Sequence, residues 1–503
     1  MDINAAFSIA SSGLFNASNQ LAVVANNVAN QNTTAYATEV ANQSSLVGNG
    51  VGMGVVSTAT TRDINLSLQA AVFSQNATVA SLTTQSNALG AIDAVSGTTG
   101  AGNDLSSLLG NVQSAFTTLS SSPDSGASQA AVVSAAQSLA GGINAIADAI
   151  TTQRQNAQNS VVSGIATLNN ALGQISQLNN QIVTAMQAGQ STASLQNQRD
   201  ISEQTISSLI GAKFVTGTNG AVQVVTTSGL TLPTDGTQIT AGNATINATS
   251  AYPGSIPAIT LNGSDITNAL QGGSIGAAIA LRDSTLPTRQ AALDEFSSQL
   301  ANRFSAQGLT LFSDSAGNVP TTGTPTQANY VGFSSQIQVN PAVSANVSLV
   351  RDGTNNIAGS ATGASAFTTN VAGTAGFTTL ISRVLDYALG GYTQSGVAQG
   401  NIPTSGLGAT GSLGIAYLPG ATLGTFATSL SANDATQVSN VSSQLASETD
   451  TQTTLQNQLS TGSAVSVDAQ MSDMVTLQNS YGANAKVISA IQTMWTALLA
   501  AVN

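Results

Sequence analysis

The two ends of this chain carry matched apolar seams, and they constrain the fold more than any other feature. From the N-terminus, Ile3, Phe7, Ala10, Leu14, Ala17, Leu21, Val24 and Val28 advance in alternating steps of four and three, the period of a helix with one buried stripe. Near the C-terminus, Val467, Met474, Leu477, Tyr481, Ile488, Ile491, Trp495 and Leu498 keep the same spacing, with Gln470 and Asn484 as polar interruptions. One such helix would serve as an ordinary core element. Two at opposite termini predict a coiled coil between the ends, or with neighbouring chains. Alone, neither seam buries enough to offset the entropy of ordering it, so each is expected to be frayed until it pairs.

Composition explains how such seams are packed. Charged residues are 6% of the chain, against roughly 25% in an average soluble protein. A helix packed on several sides in an assembly cannot carry Lys and Glu along its flanks without burying unpaired charge. Cysteine and histidine are absent, which removes thiolate nucleophiles, imidazole bases and the commonest zinc ligands. The net charge of -12, with Lys213 and Lys486 as the only lysines, argues against nucleic acid and acidic lipid. The N-terminus lacks the basic region of a cleaved signal. The apolar stretch near the C-terminus is shorter than the roughly 20 residues a bilayer needs.

Between the ends, the pattern is helical from about 60 to 210, with polar breaks at 96–104 and 120–128. Short Val, Thr and Ile runs with Gly, Asn and Pro turns follow over 213–262 and predict a small antiparallel β region. Helical spacing returns at 275–306, 376–391 and 424–460, while 309–375 reads as turn-rich and β-like and 392–422 as a Gly-rich loop section. The expected fold is α+β and multidomain. Residues 1–40 and 467–503 form the terminal coiled coil; 41–212, 270–308 and 423–466 an antiparallel helical bundle; 213–269 a small β region; and 309–422 a β-rich outer domain.

Candidate chemistry is thin. Residues 272–276, GGSIG, lack the Lys-Ser/Thr of a phosphate loop and read as a turn before a helix. The fragments RDGTNN and SDSAGN lack the regular acidic ligands of a calcium loop and read as β-turns. Asp294 and Glu295 are adjacent on a helix and point apart. No catalytic set, cofactor site or metal site is expected.

The stretch after the first helix, ANNVANQNTTAY, places Asn26, Asn27, Asn30, Asn32, Thr33, Thr34 and Tyr36 where the helix must stop. A plain stop needs one or two such residues, so further polar contacts with a partner helix or a neighbouring chain are expected of Asn27 and Asn30. This stretch resembles the shared signature of the flagellar rod, hook and hook-associated proteins. The closing segment MVTLQNSYGANAKVISAIQTMWTALL, with Asn484 and Lys486, is similar to that family's last helix. Gln198, Arg199 and Asp200, before a β-turn region, resemble its hook-associated members, as does the helix over 275–306. One residue departs: Ala35 stands where the family usually has glycine.

The resemblance implies a non-enzymatic structural protein at the junction of hook and filament. It would form a homo-oligomeric ring that contacts the hook protein and the next hook-associated or filament protein. It would be exported unfolded, without a cleaved signal peptide, with the help of an export chaperone, to an extracellular place in the flagellum. Within it, Ile3, Phe7, Leu14, Leu21, Val24, Val28, Met474, Leu477, Tyr481, Ile488, Ile491, Trp495 and Leu498 form the polymerisation seam. Two rivals stand beside this reading: a hook or distal rod protein, and a secreted adhesin, which the Thr- and Asn-rich β regions alone would allow.

Overall fold

The computed structural model describes residues 3–33, 35–48, 50–97, 102–321, 329–360 and 364–502. Thr34, residues 98–101 of the first polar break, and 322–328 and 361–363 of the turn-rich region lie outside the described residues. The chain is an α+β protein with a terminal helix pair, a helical body and several small antiparallel sheets.

Helix α1 (Ile3–Ala29) opens the chain and is followed by four strands: β1 (Glu39–Val40), β2 (Gln43–Gly48), β3 (Val51–Ser57) and β4 (Thr61–Arg62). The body begins with α2 (Leu66–Ser96), α3 (Leu105–Ser121), α4 (Gly126–Gln187) and α5 (Ala193–Leu209). Asn65, Asp104 and Ser125 stop the preceding loops by accepting from the first backbone N–H groups of α2, α3 and α4, which otherwise lack partners. Helix α4 has 62 residues, about 90 Å at 1.5 Å each. It is long and apolar enough to cross a membrane by composition alone, a stretch the sequence reading passed over for the C-terminal one. Its stripe of Val132, Leu139, Ile143, Val161, Ile165, Leu168 and Ile175 is instead buried in the body.

Strands β5 (Ala212–Thr216), β6 (Val222–Thr226) and β7 (Thr231–Leu232) make one three-stranded sheet, and β8 (Ile239–Ala241), β9 (Ile259–Leu261) and β10 (Ser264–Asp265) a second. Helix α6 (Gly273–Ala280) runs through a wide π turn at Leu281–Thr285 into α7 (Leu286–Ser305). The wide turn accommodates Pro287, whose ring would otherwise strike the carbonyl one turn back.

Two expectations differ from the structure. Residues 309–422 contain little strand: β11 (Phe312–Ser313), β12 (Gln338–Val339), α8 (Pro341–Ala345), α9 (Leu349–Asp352), α10 (Thr379–Arg383), β13 (Tyr392–Gln394), β14 (Val397–Ala398), β15 (Ser405–Leu407) and β16 (Leu413–Gly414) are all short. The segment buries spaced apolar anchors such as Phe312, Phe333, Ile337, Val350 and Leu380 in the same core as the body, so it wraps the bundle. Thr content resembled strand propensity and Gly supplied turn signals, but alternation is missing. Residues 41–62, expected in the bundle, form the β2–β3 hairpin and its flanking strands, and β3 lies against α1.

The chain closes with α11 (Leu423–Ser463), packed along α2, and α12 (Val467–Val502), packed along α1. Along α12 only Gln470 and Ile491 are buried among the described residues. A helix with so little cover opens easily. Backbone amides from Met494 to Leu498 in the isolated chain should exchange with deuterium on the order of a hundredfold faster than those around Ile165 in α4. Equal protection at the two places would contradict this.

Candidate functional site

Two contacts fix how the terminal helices meet. Asn27 on α1 reaches Gln470 on α12, and Gly13 faces Asn484 so closely that an added Cβ would come 2.9 Å from its Nδ2. The pair is therefore antiparallel. Small residues set the close approach: Ala10, Ala17 and Val24 are buried and Ile3 half-buried, while Leu14, Leu21 and Val28 sit half-buried at the edge. On α12, Met474, Leu477, Asn484 and Ile488 are half-buried and Ile491 is buried. Phe7, Tyr481, Trp495 and Leu498 are exposed instead of joining the seam. The large side chains are displaced because Gly13 and the two alanines carry the contact line.

The asparagine run divides into a keystone and a local stop. Asn27 is 1% exposed and uses both ends of its amide. Its Nδ2 donates to the Glu39 carbonyl at 2.8 Å and to Gln470 Oε1 at 2.9 Å. Its Oδ1 accepts from the Glu39 backbone N–H and from the Tyr36 hydroxyl, both at 2.9 Å. Burial, and then the nearby Glu39 carboxylate, push the Tyr36 hydroxyl far above its ordinary range, so it stays a donor. Burial also raises the Glu39 carboxyl. Asn26 donates to the Tyr36 hydroxyl at 3.4 Å. Asn30 behaves differently from expectation: its Nδ2 bonds Asn26 and its Oδ1 accepts from Thr33, all within one turn. Asn32 and Thr33 are exposed.

Ala35 adopts φ 61, the left-handed conformation for which glycine is suited. The turn is kept and the side chain is strained in it, at about 1–2 kcal/mol. Ala35→Gly should stabilise the isolated chain by about 0.5–1 kcal/mol, after allowance for the freer unfolded glycine. The urea midpoint measures it, and an unchanged or lower midpoint would contradict the strain.

The segment after Tyr36 is tied to the body on two sides. Asn197 of α5 pairs with Ala37 through both backbone groups, accepting from its N–H at 3.2 Å and donating to its carbonyl at 3.1 Å. The Thr38 N–H donates to the Ser463 carbonyl at the end of α11 at 2.8 Å. Arg62 closes the joint, with Nη1 2.6 Å from Asp200 Oδ2 and Nε donating to Gln196. Gln69 of α2 also donates to Asp200. Arg199 turns the other way, to Asn179 Oδ1, the Gly220 carbonyl and Glu203. Burial raises the Asp200 carboxyl while Arg62 opposes the shift. Glu203 is raised by burial and then by Asp200. Gln198 is exposed, as is Lys486. Arg62, Asn197 and Ser463 escaped sequence reading because their partners are more than a hundred residues away. The available signal was the adjacent Arg62 and Asp63 in a chain where charged residues are 6%.

A groove of about 980 Å³ lies beside this joint, lined by Phe73, Lys213, Phe214 and Glu448 as well as Arg62 and Asp200. Its buried carboxylates are held by arginine or glutamine, so none stands free as a base. Asp294 accepts from the Gly332 and Ser334 N–H groups, and Glu295 from the Tyr330 hydroxyl; they anchor one loop and share no cavity. Asp314 folds back on Ala316 and Asn318. Among the described residues no group of three or more acidic side chains converges as a metal site would require.

Known proteins match three stretches. A model described as flagellar hook-associated protein FlgK helical domain matches residues 89–318. One described as flagellar basal body rod FlgEFG protein C-terminal matches 456–501, and one described as flagella basal body rod protein matches 7–36. Flagellar hook-associated protein 1 of Salmonella typhimurium and that of Salmonella typhi are each 26% identical over 310 residues, covering 59% of this chain and 55% of theirs. The chain thus spans about half the length of the curated relatives it matches. The solved flagellar hook junction protein FlgK from Burkholderia pseudomallei aligns with a TM-score of 0.41 and 24% identity, over 51% of this chain and 46% of that one.

Proposed function

Because the chain belongs to the flagellar rod, hook and hook-associated family, we propose that it is the structural element joining hook to filament. The observation that carries this reading is the antiparallel pairing of α1 with α12, locked by Asn27 and Gln470, with most of α12 left uncovered. Residues 1–40 and 467–503, together with the β2–β3 hairpin, form the polymerising unit, and the helical body rides on it through the Arg62–Asp200 joint. The chain acts by assembly rather than catalysis. Copies form a ring between the hook protein and the next hook-associated or filament protein. An export chaperone escorts the unfolded chain, which leaves the cell without a cleaved signal peptide. The helical-domain match over 89–318 favours this place in the axis over a hook or rod protein.

Electron microscopy of a strain lacking the gene tests the proposal. Hooks without filaments are expected, restored by the chain supplied in trans. Filaments of normal length in the deletion strain would overturn the reading.

A further inference from the structure

We propose that the joint between the terminal unit and the body is a latch held by a proton. Glu39, Asp200 and Glu203 bury three carboxyls against the two guanidiniums of Arg62 and Arg199, so the joint is tightest with one proton shared among them and loosens when that proton leaves. Across the β1–β4 pair Glu39 stands directly opposite Arg62, and the same arginine holds Asp200 at 2.6 Å. On α5, Glu203 meets Arg199 Nε at 3.1 Å, while Arg199 Nη1 turns to Asn179 and the Gly220 carbonyl. Asn197 ties the two sides together: its Nδ2 reaches Glu39 Oε1 and its Oδ1 accepts from Arg62 Nη1, both at 3.3 Å.

The other groups around the cluster do not balance it. Gln69 of α2 donates to Asp200, and Ser202 beside Glu203 donates to Gln174 of α4; all are neutral. The Tyr36 hydroxyl near Glu39 keeps its own proton. Asp63 next to Arg62 is exposed, as is Asp473 of α12, which lines a small cavity with Glu39. Lys213 of β5 and Glu448 of α11 line the groove beside the joint, but Lys213 is exposed and Glu448 accepts from Gln75. With all three carboxyls ionised, one negative charge would be buried in excess, and such a charge is costly away from water. A proton on one carboxyl restores the balance, and the three titrate as a set. Burial, and then Asp200, push the Glu203 carboxyl up to about 7; burial also raises Glu39 and Asp200. Because the raised values belong to the closed joint, its hold is fullest below the ordinary glutamate range and is lost as pH rises through about 7. Asp200 and Glu203 lie on the wall of the 980 Å³ groove, which gives the proton a path in and out.

Hydrogen exchange of the full-length chain, corrected for the intrinsic rate at each pH, tests the latch at the joint itself. The reporters are the Ala37 and Thr38 N–H groups, which donate to Asn197 and to the Ser463 carbonyl. Their opening should rise about tenfold or more between roughly pH 5.5 and 7.5. Glu203→Gln, uncharged throughout, should keep the joint closed across that range. Glu39→Gln leaves two carboxyls against two guanidiniums and should flatten the rise as well, so it carries the comparison if Glu203→Gln does not fold. Opening that stays level with pH in the unsubstituted chain would overturn the latch, as would the full rise persisting in a folded Glu203→Gln or Glu39→Gln chain. Each readout is taken on the isolated chain, so the junction role stands or falls separately.

Discussion

Asn27→Leu will abolish filament growth while the helical body stays folded. The substitution removes four hydrogen bonds at a position 1% exposed and leaves the Glu39 backbone groups and the Gln470 amide without partners. Each buried group so stranded costs about 1–3 kcal/mol. The loss falls on a buried polar lock between α1 and α12, a pair that buries few large side chains. Asn30→Ser is the matched control. Serine can replace its bonds within the same turn, so motility should persist. Motility in the Asn27→Leu strain, or its loss in the Asn30→Ser strain, would show that the lock is wrongly placed. Far-UV circular dichroism of the purified chains checks the body.

Arg62→Ala will loosen the terminal unit from the body, by about 3–5 kcal/mol, because it leaves the buried Asp200 carboxylate without its cation. The effect carries a pH signature. Burial raises the Asp200 carboxyl in the fold and Arg62 opposes that shift, so removing Arg62 raises it further. A carboxyl whose folded value lies above its unfolded one binds its proton more tightly in the fold. Its contribution is fully present below the unfolded value and is lost as pH rises through the folded one. Arg62→Ala should therefore be most destabilised at neutral pH and recover part of its stability as pH falls toward the unfolded carboxyl range. Denaturant melts at several pH values read the difference from the unsubstituted chain. A deficit that is constant with pH would mean that Asp200 is not the group exposed by the change.

The elements that sequence revealed were those whose signal is local. The breaks before Leu105 and Gly126 carry Asp104 and Ser125, which cap the next helices, and the stripe from Ile165 to Ile182 announced α4 in its own spacing. The hairpin at 43–57 was also legible in principle, since Asn49-Gly50 between apolar runs is a hairpin signal, yet it was absorbed into the bundle. What could not be read was pairing at a distance. Asn27 and Asn30 are alike in sequence, and only the arrival of Gln470 and Glu39 separates the keystone from the local stop. The 309–422 segment misled for a similar reason. Its Thr residues between turn signals suggested strands, whereas the position of each apolar anchor is decided by the bundle surface it meets.

The antiparallel terminal pair also dictates an order of events. Asn27 and Gln470 are 443 residues apart, and closing a flexible loop of that length costs roughly 5 kcal/mol, more than a thinly buried pair can supply early. Once the body has folded, the Thr38–Ser463 contact holds the two strands of chain side by side. Fewer than about twenty residues then separate the partners along the remaining path, and the closure cost falls to roughly 2–3 kcal/mol. The ends therefore zip last, from the joint outward. A chain folding from the unfolded state would thus present a finished body first, with its two ends still open.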